Sequence, residues 1–188
     1  MPRKSILPFD ELNALGERLK KHFNADGHIA SEQDCEDIID EMFELFLLAY
    51  TSAVEGVNEQ FKTDFEPSLW EIENVLNKPV EGAPWRDRVY AWYAADGTVD
   101  DILRIAETET TRIGNTAALD TATKAGATTK TWLTMLDDRV RDTHSYLEGV
   151  TVPIDADFYC YDGDHAPQPG GFEKAENNCG CRCEMRFN

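Results

Sequence analysis

Basic residues are scarce in this sequence: 18 lysines and arginines stand against 36 acidic residues, a formal net charge of −18 over 188 residues. The deficit is even, since residues 1–50, 51–131 and 132–188 each carry −6. No segment therefore offers the basic patch from which duplex-binding proteins draw affinity by neutralising phosphates, and direct duplex DNA binding is not expected. No apolar run is long enough to cross a bilayer, and Met1-Pro2-Arg3-Lys4-Ser5 is not followed by the apolar core of a signal peptide. No membrane contact and a cytosolic site of synthesis are expected. Also lacking are a Gly-rich phosphate loop, a nucleophile elbow, a spaced pair of catalytic carboxylates and any internal repeat. The five cysteines are odd in number, with three crowded into Cys179, Cys181 and Cys183. That excludes a secreted disulfide framework and leaves reduced thiols, metal ligands or both.

What is there suffices for one sizeable domain, or for a helical region plus a small one, with 41% apolar residues. Phe9, Leu12, Leu15, Leu19 and Phe23 recur at three- and four-residue steps and predict a helix over 10–22. Asp26-Gly27 turns the chain, and Ser31 with Asp34 opens a long helix carrying Ile38, Ile39, Met42, Phe43, Phe46, Tyr50, Val54, Val57 and Phe61. So wide an apolar stripe must meet two neighbours, and it lacks the lysines and arginines of a membrane-surface helix. Prolines 67 and 84 mark the starts of shorter helices over 67–76 and 84–95, with Trp70, Val75, Trp85, Val89 and Trp92 inward. Asp96-Gly97 stops the second, and Thr98 with Asp101 opens a helix over 99–124 that Gly126 ends. The boundary is placed there, between a helical N-terminal region, 1–96, and a domain of 97–188.

Residues 129–136 alternate as a half-buried strand does, break at Asp137-Asp138 and restart as a short helix ended by Glu148-Gly149. Val150-Thr151-Val152 before Pro153 offers a brief strand. Trp132, Asp137, Asp138, Arg139, Arg141 and His144 thus gather at a strand-to-helix turn. Residues 162–178 are rich in Gly, Pro, Asp and Asn, a long loop headed by His165 and a candidate partner surface. The stretch from Cys181 to Phe187 alternates again, placing Cys181, Cys183, Met185 and Phe187 on one face of a terminal strand. The fold class is α+β: a mainly helical N-terminal region, then a long helix and a small antiparallel β-domain with strands over 129–136, 150–152, 158–161 and 182–187.

On the 99–124 helix, a turn of about 100° per residue puts Ile102, Ala106, Ile113 and Ala117 on one side and Arg104, Thr108 and Asn115 on the other. Glu109 falls on the apolar side and needs a partner, for which Arg139 or Arg141 is the expected choice. Asp137, Arg139, Arg141 and His144 have the makings of an acid/base and anion-binding set, though such a turn is more often a hydrogen-bonded corner. A zinc site needs four ligands; His144, Cys160, His165, Cys179, Cys181 and Cys183 form the pool, with His144, Cys179, Cys181 and Cys183 the candidate set. Cys-x-Cys-x-Cys is not the usual Cys-x-x-Cys knuckle, and the plainer reading of it is a buried apolar strand edge. No residue is assigned as catalytic, and no cofactor other than this candidate zinc is expected.

The order Trp-x-x-x-x-Asp-x-Arg-x-Arg-x-x-His-x-x-x-x-Gly, then a Pro/Gly-rich loop, then Cys-Arg-Cys, resembles the phage Mu F-like head morphogenesis family. The matching residues are Trp132, Asp137, Arg139, Arg141, His144, Gly149, the loop over 167–171 and Cys181-Arg182-Cys183, with Arg104, Thr108, Glu109 and Asn115 upstream. The likeness covers about residues 100–188, and Cys179-Gly180 departs from it where the pattern usually has an asparagine. The resemblance implies a non-enzymatic minor head, or minor capsid, protein of a phage or prophage. Its work would be head morphogenesis: capsid assembly and portal-associated DNA packaging or ejection. Its partners would be portal or capsid proteins, and its place the virion head interior, after assembly in the bacterial host cytoplasm. Some members carry a toxin domain after the cysteine motif; none is expected in a chain that stops at Asn188. The alternative from another class is a small metal-dependent hydrolase or nuclease using His144 and the C-terminal cysteines.

Overall fold

The computed structural model describes residues 5, 7–80 and 82–188; the opening Met1-Pro2-Arg3-Lys4 read for a signal peptide lies outside them. Local sequence signals set most helix ends. α1 (Phe9–Leu19) runs on into a single 3-10 turn, Lys20–His22. α2 (Glu32–Phe61) opens where the Ser31 hydroxyl accepts the Asp34 N–H at 3.1 Å, and closes at Lys62 in the left-handed region. α3 (Leu69–Leu76) starts later than Pro67, because Ser68 forms a capping box with Glu71 and leaves the proline outside the helix. α4 (Trp85–Ala94) follows Pro84, and α5 (Val99–Lys124) has the bounds the sequence predicts, the Asp101 carboxylate accepting the Thr98 N–H at 3.0 Å.

α2 lies along α5, with α1 and α4 against both, so the wide stripe of α2 does meet several neighbours. Ile38, Met42 and Phe46 are fully buried there, and Phe46 meets Trp85 edge-on at 4.9 Å. Two expected positions differ. Trp70 does not face inward: it is 72% exposed, beside Leu69 at 78%, because at about 100° per residue it lies about 120° around α3 from the buried Leu76. The face of α5 expected opposite the apolar one is buried too, at Thr108 and Asn115, leaving Arg104 outside to pair with Asp101. One hydrophobic core runs without a break from Leu7 to Phe187 and so crosses residues 96 and 97.

β1 (Thr129–Leu133) is the centre of a three-stranded antiparallel sheet, between β2 (Thr151–Pro153) and β5 (Glu184–Phe187). Trp132 pairs with Met185, and Lys130 with Val152 on one side and Phe187 on the other. Between β1 and β2 stands α6 (Asp142–Ser145), and β3 (Phe158–Tyr159) pairs with β4 (His165–Ala166) as a separate hairpin; α7 (Ala175–Asn178) precedes β5. β1, β3 and β5 are shorter than the alternation suggests, β2 is displaced by one residue from the expected 150–152, and β4 is not among the expected strands; the shortening of β1 and β5 has local reasons. β1 stops because the Thr134 N–H is taken by the Glu148 carboxylate at 2.6 Å, and β5 begins late because α5 takes the carbonyls of Cys181 and Cys183. Asp137-Asp138 does not cap a helix; it forms a turn, with Val140 N–H on the Asp137 carbonyl, and α6 begins only after Arg141.

Burial separates the tryptophans energetically. Trp85→Ala should lower the free energy of unfolding in urea by about 3–5 kcal/mol through loss of a buried ring, whereas Trp70→Ala should change it by less than about 0.5 kcal/mol.

Candidate functional site

β1, α6 and the segment before β5 bring Trp132, His144, Cys181 and Cys183 into one buried cluster. His144 Nδ1 lies 3.6 Å from Cys181 Sγ and 3.6 Å from Cys183 Sγ. The ring is walled by Trp132 at 5.3 Å and Phe172 at 5.4 Å between centroids, and among the described residues its Nε2 finds no hydrogen-bond partner. α5 holds the two cysteines by their backbones. Thr111 donates its hydroxyl to the Cys181 carbonyl, and Asn115 Nδ2 donates to the Cys183 carbonyl at 2.9 Å. The Cys183 N–H points at Cys181 Sγ, 3.5 Å away. The Cys181 thiol is held well below the ordinary thiol range, first by a hydrogen bond from Cys183 and then by His144, both acting against burial. Cys183, the donor, is pushed up by that bond and by burial. Cys160, elsewhere in the core, is pushed up to about 11 by burial.

Of the candidate metal set, His144, Cys181 and Cys183 come together and Cys179 does not: it is exposed, and its carbonyl accepts from Arg141. The arginines of the turn have other partners than the expected Glu109. Arg139 pairs with Glu107 at 2.9 Å, Arg141 reaches the carbonyls of Glu176 and Cys179, and Asp137 holds Arg182 at 2.8 Å. Gly149 closes the turn with its N–H on the Trp132 carbonyl at 2.9 Å and φ 76°. Beside this corner lies a small, partly open cavity of about 10 Å³ whose lining includes Arg139, Arg141, His144, Cys181, Arg182 and Cys183.

Glu109 is fully buried and pairs with Arg112 on its own helix, at 2.7 Å, and with Arg88 on α4. Arg112 was legible as an i,i+3 neighbour; Arg88 carries no such signal.

The loop over 162–178 is not the free surface the composition suggests. The Asp164 carboxylate accepts the backbone N–H groups of His165, Glu173 and Lys174 and the Asn177 amide, while Asn178 bonds both the N–H and the carbonyl of Phe172. Its inner side docks on α5, Gln168 reaching Thr116 at 3.1 Å. Gly170, at φ +81°, approaches so near that an added Cβ would sit 2.8 Å from the Arg112 Cα. Burial by itself would raise Asp164, but the Asn177 amide and the three N–H groups outweigh it and hold the carboxyl below its usual range. Asp162 is held low in the same way, first by the Asp164 N–H and then by Lys174.

The family model described as "Phage Mu protein F like protein" matches residues 87–186. The chain is 32% identical over 85 residues to minor head protein GP7 of Bacillus phage SPP1, a match that spans 44% of this chain and 28% of that protein. The chain thus covers well under a third of that relative's length. No solved structure matches it.

Two measurements test the geometry. Glu109→Gln should lower stability by about 3 kcal/mol in chemical unfolding, because Arg112 is left buried without its counter-charge. Asp162 and Asp164 have folded values below 3.8, so their contribution is complete above that pH and is lost as pH falls through the folded values. The thermal midpoint should drop on acidification in that range, and drop less in Asp164→Asn, which already lacks about 2 kcal/mol at neutral pH.

Proposed function

Because the chain belongs to the phage Mu protein F-like family, we propose that it is a minor head protein of a phage or prophage, joining other proteins during head morphogenesis rather than turning over a substrate. The observation that carries this is the coincidence of the matched segment, 87–186, with the part of the fold where α5, the turn and the cysteine strand lock together. The charged side chains of that corner are largely satisfied within the molecule, and His144 is buried. Little of it remains free to bind and release a substrate.

The surface left for partners is acidic and carries exposed aromatics. Tyr159 and Tyr161 are 62% and 68% exposed; Tyr146 packs on Tyr161 and His165 on Tyr159 at the outer edge of the β3–β4 hairpin. Tyrosines of this kind, on a negatively charged background, suit a polar or basic protein surface. A portal or capsid subunit is the partner this reading calls for, with portal-proximal packaging or ejection as the step served. The protein would then sit in the head interior, after assembly in the host cytoplasm. Duplex DNA is not its primary partner, since the acidic charge is spread over the whole chain.

The hydrolase or nuclease alternative draws on one observation, the arginine-lined cavity beside His144. The two readings part in one experiment. The full chain should co-purify with the portal or capsid proteins encoded beside its gene, and a Tyr159→Ala/Tyr161→Ala variant should lose them at an unchanged thermal midpoint. A phosphodiester or ester hydrolysis activity that His144→Gln abolishes, with partner capture intact, would establish the enzyme instead.

A further inference from the structure

Among the clusters of titratable and sulfur-bearing side chains, one is placed as no hydrogen-bond network requires. A single imidazole nitrogen faces two sulfurs at equal distance, His144 Nδ1 being 3.6 Å from Cys181 Sγ and 3.6 Å from Cys183 Sγ. That nitrogen has one proton to give or one lone pair to offer, so it satisfies one sulfur and leaves the other against it. We propose that the three side chains bind a zinc ion, with the fourth position filled by a water in the adjoining cavity.

The distances fit. Zinc holds thiolate sulfur at about 2.3 Å and imidazole nitrogen at about 2.0–2.1 Å, and a tetrahedral angle between such bonds separates nitrogen from sulfur by about 3.6 Å. All three donor atoms lie within 4.8 Å of one another, and all three residues are buried. Two sulfurs and an imidazole suit zinc rather than magnesium or calcium, which take oxygen ligands. The cavity of about 10 Å³ has room for one water.

The surroundings hold the donors in place. Cys-x-Cys is an uncommon spacing, and it works here because Arg182 is drawn aside to Asp137 at 2.8 Å, leaving Cys181 and Cys183 turned the same way. Thr111 and Asn115 fix both cysteine carbonyls, and the Cys183 N–H aimed at Cys181 Sγ is the kind of outer hydrogen bond that steadies a ligating thiolate. Among the described residues the His144 Nε2 has no acceptor, and the ring is oriented by Trp132 and Phe172 instead. The ion would tie α6 to the segment leading into β5 across 37 residues of chain, a staple that does not depend on the head-protein reading.

The test uses the full chain purified without chelator, with zinc measured by elemental analysis. About one zinc per chain is expected in the native protein and in Cys179→Ser, and much less in Cys181→Ser, Cys183→Ser and His144→Gln. Because those variants can lose the fold, the native protein is also stripped with chelator and titrated with cobalt. A thiolate-to-cobalt charge-transfer band with tetrahedral ligand-field absorption is expected, together with a higher thermal midpoint on adding zinc back. Native protein with neither zinc nor the charge-transfer band overturns the proposal, as does a zinc content that falls in Cys179→Ser and persists in the Cys181 and Cys183 variants.

Discussion

Two hydrogen bonds from the middle of α5 govern the C-terminal part of this molecule. Thr111 and Asn115 stand one turn apart on a buried helix, and their side chains take the carbonyls of Cys181 and Cys183. A carbonyl buried without a donor costs free energy comparable to a lost hydrogen bond, so the cysteine segment has its lowest energy only when laid along this helix. With it laid there, β5 pairs with β1, Trp132 comes opposite Met185, and the cysteine side chains turn toward His144 on α6. The helix is therefore a post on which strand, turn and cysteines are all hung. Its own ends are fixed by α2 and by the Thr98–Asp101 cap, far from the site.

Much of this was readable from the sequence, for reasons that differ by element. α2 and α5 are long, carry their caps in the chain and repeat their apolar residues at helical spacing, so existence and limits follow from local chemistry. Where an expected start rests on one signal it slips: Pro67 reads as opening a helix, but the Ser68–Glu71 capping box, seen only in the fold, sets the start at Leu69, and Trp70 is left on the solvent side. The strands were overextended because alternation continues past the last ladder bond. Thr134 keeps the period but gives its N–H to Glu148, a partner fourteen residues on that no periodicity reveals. The gathering of Trp132, His144, Cys181 and Cys183 was visible as an ordered motif. The second layer was less so, since Thr111, Phe172 and Asp164 look like ordinary helix and loop residues until the fold places them.

The loop over 162–178 shows how composition misleads about exposure. Its Gly, Pro, Asp and Asn content is that of a solvated connection, yet those residues build its order: Asp164 gathers three backbone N–H groups, Asn178 closes on Phe172, and Gly170 lets the chain touch the backbone of α5. Polar side chains turned on their own backbone replace the hydrophobic contacts a loop lacks. This brings Phe172 under the ring of His144, so the loop is one wall of the cysteine cluster rather than an appendage to it.

Charge follows the same logic of internal use. With half as many basic as acidic residues, each arginine placed inside leaves the exterior more negative. Arg88 and Arg112 are committed to Glu109, Arg139 to Glu107, Arg182 to Asp137, and Arg141 to two carbonyls beside Cys179. These pairings tie α4 to α5 through Glu109 and the turn to α5 through Glu107, and with twice as many acidic as basic residues the outward field is acidic. A partner must then be found through polar and aromatic contact with a surface of opposite or neutral charge. Any contact that pulled one of these arginines outward would loosen the corner that holds the cysteines.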